Sequence, residues 1–169
     1  SLDSPYGELM VVSVGGQAVS ADDTSGRGAL ASVEFDTRDF RPNPLRGVLL
    51  RAEADAVTGG ISFSRFETDA RAFASVAGAH VLAARATVAR VTGSDIPLTE
   101  WLFMGGADTL RGYEERQFRG TRSITGSVEY RIVTGRLSHV FAFVDVGRVS
   151  DADAAVAPKL GYGIGANLE

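Results

Sequence analysis

The 169-residue chain has no cysteine. That excludes a disulfide scaffold and any thiolate metal site; it is compatible with an oxidising compartment without requiring one. An excess of basic charge is missing too. Lys+Arg number 17 against 21 Asp+Glu, the net charge is -4, and the two signs are interspersed. A nucleic-acid binder shows a basic face or a high isoelectric point, so nucleic acid is not an expected partner. Long apolar runs are also lacking. The longest unbroken one is Val140 to Val144, whereas a membrane-spanning helix needs about 20 mostly apolar residues. Glycine is the exception to this scarcity: 20 residues, about 12% against a usual ~7%. These glycines follow no period of three, so collagen is excluded.

What is present is alternation. Val48, Leu50, Ala52, Ala54 and Ala56 alternate with Arg51, Glu53 and Asp55. Phe66, Ala70, Ala72, Ala74 and Val76 stand against Arg65, Glu67, Asp69 and Arg71. Ala31, Val33 and Phe35 stand against Glu34 and Asp36, and Ile124, Val128, Tyr130 and Ile132 against Thr125, Ser127, Glu129 and Arg131. Leu160, Tyr162, Ile164, Ala166 and Leu168 stand against Lys159, Gly161, Gly163, Gly165 and Asn167. Strand side chains point to opposite faces with period two, whereas a helix of period 3.6 would mix these faces. The pattern predicts an all-β chain, an antiparallel meander of about eight long strands near 7–18, 27–38, 45–57, 61–76, 80–91, 121–133, 139–149 and 158–168.

Most of these segments are longer than the ~5–6 residues of soluble strands and reach the ~9–11 tilted residues that cross a bilayer. Tight connections are expected at 77–79 and 134–138, with a compact Pro-rich turn at 38–44. Longer ones are expected at 19–26, 92–120 and 150–157, although 58–60 breaks this alternation by being short. Short turns on one side and long loops on the other characterise outer-membrane barrels. Phe40, Phe63, Phe73, Trp101, Phe103, Tyr113 and Tyr162 fall near strand ends or in adjoining loops, where interfacial aromatic girdles would sit.

A soluble β-sandwich or lipocalin-like barrel also alternates. Its core would then have to take Arg, Glu and Asp from mid-strand positions, at several kcal/mol per ion, while its other face carried Ala, Val and Leu. A wet lumen and a lipid-facing exterior fit better.

The longest connection reads Trp101-Leu-Phe-Met-Gly105-Gly106-Ala-Asp-Thr-Leu110-Arg111-Gly112-Tyr113, followed by Phe118-Arg119-Gly120. It resembles the sixth-loop signature of the outer-membrane assembly barrel family, the BamA/TamA/FhaC or bacterial surface antigen type. Three further stretches resemble the same family in the same order. They are Asp36-Thr37-Arg38-Asp39-Phe40 with Pro44 and Gly47, Ser127-Val128-Glu129-Tyr130-Arg131, and Phe143-Val144-Asp145-Val146-Gly147. The resemblance covers nearly the whole chain, from about the middle of a sixteen-stranded transmembrane β-barrel to its fourteenth strand. It implies one partial transmembrane β-barrel domain over 1–169 with its signature loop at 92–120. POTRA domains and the final strands are expected to be absent. The opening Ser1-Leu2-Asp3, without Met or a signal segment, and an end at Asn167-Leu168-Glu169 without a terminal aromatic point the same way.

The residues supply a physical reason for the signature. Glu129 and Asp145 lie on the polar faces of adjacent strands, although Phe141 and Phe143 share the face of Asp145. Two inward carboxylates need a cation, and the planar five-donor guanidinium of Arg111 serves both. The resemblance also implies this arginine opposite these two acids. Gly105 and Gly106 are expected to hinge the loop inward, and Gly112 to allow a tight turn beside Leu110 and Tyr113.

Other constellations carry less. Gly161-Tyr-Gly-Ile-Gly165 lacks the G-x-G-x-x-G spacing and a following helix, so it reads as small lumen-facing strand residues. His80 and His139 are the only histidines, and no nucleophile motif accompanies them. Asp22-Asp23 and Asp151/Asp153 lack the spacing of a dedicated calcium loop. No catalytic residue, metal or cofactor is expected.

The implied function is non-enzymatic: a barrel in the outer membrane of a Gram-negative cell that inserts, assembles or translocates other proteins. Its partners would be outer-membrane lipids and unfolded outer-membrane or secreted clients, with periplasmic or lipoprotein accessory subunits. Alternatives are a two-partner secretion transporter or a phospholipase-fused member of the same family, and a self-contained eight-stranded outer-membrane anchor or pore.

Overall fold

Alternating sequence becomes one continuous wall. The structure, a computed structural model, describes residues 9–21, 24–94, 96–151 and 156–168. In chain order the strands are β1 (Leu9–Ala21), β2 (Thr24–Asp36), β3 (Gly47–Gly59), β4 (Phe63–Ala77), β5 (His80–Gly93), β6 (Leu102–Met104), β7 (Phe118–Gly120), β8 (Arg122–Val133), β9 (His139–Ser150) and β10 (Lys159–Asn167). Eight pair antiparallel in the order β1-β2-β3-β4-β5-β8-β9-β10. The short β6 and β7 pair with each other inside the long connection. The all-β meander of eight long strands is therefore as expected, and the two short strands are an addition. Among the described residues no helix is long and apolar enough to cross a membrane; crossing falls to the strands. A 13-residue strand such as β3 runs about 43 Å and, tilted by ~40°, covers about 33 Å, enough for a ~30 Å hydrocarbon layer.

Register keeps the two faces apart, because a slip of one residue would exchange them. Leu50 lies opposite Ala70, Ala70 opposite Ala86 and Ala86 opposite Gly126. The resulting outer face carries Val12, Val14, Leu50, Phe66, Leu82, Val128, Val144, Leu160 and Ile164, all solvent-exposed. A soluble sandwich would cover that face with a second sheet, and no described element lies on it. The inner face carries ion pairs: Arg51 with Glu34, Arg65 with Glu67 at 3.0 Å, and Asp69 with Arg71 at 2.6 Å and Arg85 at 3.0 Å.

The inner face is not polar throughout. Toward the end that bears the long connection, Val57, Phe63, Val91 and Val149 are buried. They pack with Leu102, Met104 and Leu110 of that connection. At the opposite end the β2–β3 connection is organised by carboxylates. Asp36 is buried and holds Arg38 and Arg41 at 2.9 and 3.0 Å. Asp39 Oδ1 accepts from the backbone N–H of Phe40, Leu45 and Arg46. Asn43 donates to the Arg136 carbonyl, and Arg136 lies 5.1 Å over the Phe40 ring. This connection therefore reaches the β8–β9 turn, which requires the wall to curl inward.

Two expectations are corrected. Connection length departs from alternation at more places than 58–60. β1 runs to Ala21 and β2 starts at Thr24, so strand pairing replaces most of the loop expected at 19–26. On the other side, 37–46 is longer than the turn expected there. The aromatic girdle is also different. Phe63 is buried in the inner cluster, and Phe73 lies under Arg131 on the inner face. Trp101, Phe103 and Tyr113 belong to the long connection, and Phe40 to the β2–β3 connection. Only Tyr162 of the seven faces outward on a strand, joined there by Phe66 and Tyr130.

Candidate functional site

The long connection folds back onto the inner wall. Gly105 and Gly106 both have positive φ, 123° and 88°, a backbone region where a Cβ is strained. Their turn lets residues 105–113 reverse. Thr109 Oγ1 accepts from the Gly105 N–H and donates to its carbonyl, at 2.9 and 3.0 Å. Gly106 N–H donates to the Tyr113 carbonyl at 3.2 Å. Leu110 is completely buried, which anchors the reversed segment in the apolar cluster and aims its neighbour, Arg111, along the wall. Gly112 also has positive φ, 93°.

Arg111 lies between β8 and β9. Its Nε donates to Asp145 Oδ2 at 2.8 Å and its Nη2 to Asp145 Oδ1 at 2.7 Å, a bidentate fork. Nη1 donates to Glu129 Oε1 at 2.5 Å and Nη2 also to Ser127 Oγ at 2.9 Å. The Arg111 backbone N–H adds a bond to Asp145 Oδ2 at 3.1 Å. Asp145 is 1% exposed and takes a further bond from Ser127 Oγ. Glu129 is shared, because Arg131 Nε donates to its other oxygen at 2.7 Å. Charge-assisted bonds of this kind are stronger than neutral ones, and a guanidinium remains charged in any protein setting.

Several contributors escape a reading of the sequence alone. The Arg111 guanidinium lies 3.7 Å from the Phe143 ring centroid and 5.5 Å from that of Phe141. The two rings that share the face of Asp145 thus hold the cation from one side by cation–π attraction. A Cβ on Gly161 would lie 2.0 Å from the Arg111 carbonyl oxygen, so β10 must be bare there for the loop to approach. Rings of Phe143 and Phe141 fill the space over Gly163 and Gly165. The alternating Gly161-Tyr-Gly-Ile-Gly165 is therefore a slot for Arg111 and its two rings. Tyr113 Oη donates to the Leu160 carbonyl at 3.2 Å and packs on Phe118 at 5.3 Å. Arg85, on the inner face of β5, donates to the Asp108 carbonyl at 3.0 Å, a further link between wall and loop.

The remaining candidates lie apart. His80 shares a hydrogen bond with Tyr130 on the outer face, 2.8 Å, and His139 lies against Phe141. Asp22, Asp23 and Asp153 lie outside the described residues, and Asp151 is exposed. No group of potential metal ligands occurs among the described residues.

Strands of membrane-crossing length, apolar outside and charged inside, with a long connection bonded to the inner side, define the wall of a transmembrane β-barrel with an internal loop. A family model described as the Omp85 superfamily domain matches residues 14–169, and the chain belongs to that superfamily. Barrels of this superfamily reside in the bacterial outer membrane, where they assemble or translocate proteins and are not enzymes. A comparison with curated proteins finds no match.

Proposed function

We propose that this chain is the middle-to-late part of a sixteen-stranded barrel that inserts client β-barrels into the outer membrane, and that Arg111 locks its internal loop to the wall. The observation that carries this reading is the four side-chain bonds from Arg111 to Asp145, Glu129 and Ser127. A loop held so firmly to β8 and β9 braces one side of the wall. The other side is then free to open and offer a strand edge, whose backbone hydrogen bonds template an incoming strand.

A lumen wide enough for the loop supports a barrel larger than eight strands, since eight enclose only their own side chains. The partners under this reading are outer-membrane lipids, unfolded barrel clients and accessory subunits. The test is reconstitution of the full-length protein in liposomes with an unfolded client barrel. Insertion predicts a heat-modifiable, folded client, lost in Arg111→Ala. A protease-protected soluble polypeptide in the lumen, with no folded client, would instead support the secretion-transporter reading.

A further inference from the structure

Charge on the outer face is confined and of one sign. Along the described strands the outward side chains include four charged ones, Arg27, Arg90, Arg122 and Arg148, and no carboxylate. All four lie at the end of the wall that bears the long connection, the outer rim of a transmembrane barrel. At the other end of β4, β5, β8 and β9 the same face ends in Val76, His80, Ile132 and Val140.

Three of these arginines are clustered. Arg90 and Arg122 are directly opposite each other on β5 and β8. Arg122 faces Ser150 across β8–β9, while Arg148 faces Ile124, which puts Arg148 diagonal to Arg122. Arginine on a lipid-facing surface costs more the deeper it sits. Arg90 and Arg148 are exposed, and neither has a carboxylate partner among the described residues. An external anion would relieve that cost at both.

Beside Arg148 the wall is hollowed. An open apolar depression of about 410 Å³ is bordered by Arg148, Val88, Ile124 and Val146 and lies over Ala86 and Gly126. It runs into a second of about 470 Å³ over Ala70, Ala72 and Ala84, walled by Leu50 on one side and Val128 and Val144 on the other. Small residues between bulky ridges make a trough that descends from Arg148 into the hydrocarbon level.

We propose that Arg90 and Arg148, which flank Arg122, together with this trough seat one phosphate-bearing lipid of the outer leaflet. Its phosphates lie on the guanidinium forks, which match phosphate oxygens bidentately, and one acyl chain lies along Ala86, Ala84 and Gly126. Charge complementarity selects a phosphorylated headgroup, and the trough selects a lipid over a soluble phosphate.

The test is native mass spectrometry of the full-length detergent-solubilised protein with diphosphoryl lipid A and its dephosphorylated form. An arginine beside an anionic lipid headgroup contributes enough that Arg90→Gln/Arg148→Gln should weaken lipid A binding about twentyfold. Arg27→Gln, on β2 and away from the cluster, should change it less than about twofold. The dephosphorylated lipid should bind weakly and equally to both proteins. Ala86→Phe fills the trough; it should weaken lipid A and leave the chain-free phosphorylated disaccharide unaffected. Unchanged heat-modifiable migration of each variant verifies its fold, and the wild-type preference for lipid A over its dephosphorylated form is readable without any variant. Equal affinity of wild type and double variant, an equal loss in Arg27→Gln, or no preference for the phosphorylated lipid would each overturn the proposal. Unaltered lipid A binding in Ala86→Phe would overturn the acyl seat.

Discussion

Replacing Arg111 with alanine removes four side-chain hydrogen bonds and leaves two carboxylates in unequal positions. Glu129 keeps Arg131 at 2.6 Å. Asp145, 1% exposed, keeps only Ser127 and the Arg111 backbone N–H. Removing one partner of a buried pair costs ~3–5 kcal/mol, chiefly because the other charge is left uncompensated. Glu129 is only partly buried and its second partner survives, so the lower end applies: about 3 kcal/mol. Arg111→Lys keeps the charge but not the fork, and should lose about half of that. The assay is equilibrium unfolding in urea of the full-length barrel in lipid vesicles, with hydrogen exchange read on amides 105–113. In Asp145→Asn/Arg111→Ala the two losses should overlap by about 2 kcal/mol, as expected for residues in one network. A loss under about 1 kcal/mol in Arg111→Ala, with exchange at 105–113 unchanged, would refute the lock: the loop would then be held by its apolar residues alone.

Other substitutions separate the remaining contacts. Gly161→Ala places a methyl 2.0 Å from the Arg111 carbonyl and should destabilise by about 1–3 kcal/mol through overpacking. Gly126→Ala, whose nearest neighbour would be 3.5 Å away, should be close to neutral in the same unfolding assay. Leu110→Ala, at a site with no exposed surface, should cost about 2–4 kcal/mol and accelerate proteolysis of the loop. Arg85→Ala leaves Asp69 paired with Arg71 but frees the Asp108 carbonyl. It should cost less than about 1 kcal/mol while hydrogen exchange near residue 108 speeds up.

The sequence by itself determined the wall. Strand geometry turns a two-residue period into two faces with no need for long-range information, so the apolar exterior and the charged interior could be read residue by residue. The loop signature stood in the sequence as a family resemblance, and two inward acids on adjacent strands, Glu129 and Asp145, called for a cation such as Arg111. What the period could not tell was which inward positions meet the loop. Val57, Phe63, Val91 and Val149 alternate like any lumen residue. They become an apolar seat only because Leu102, Met104 and Leu110 return across them from a connection distant in sequence. The aromatic girdle was misassigned for the same reason: position near a strand end does not say whether a ring turns to lipid or under a loop.

Gly161-Tyr-Gly-Ile-Gly165 displayed small residues at a period of two, but their purpose lies in Arg111, Phe143 and Phe141, which only the packed sheet brings against them. Arg90, Arg122 and Arg148 are scattered in the chain, and antiparallel register alone gathers them. Local chemistry chose the strands and their faces. The tertiary structure decided which side chains meet, because both the fold-back of the loop and the pairing of β5 with β8 join residues across the long connection.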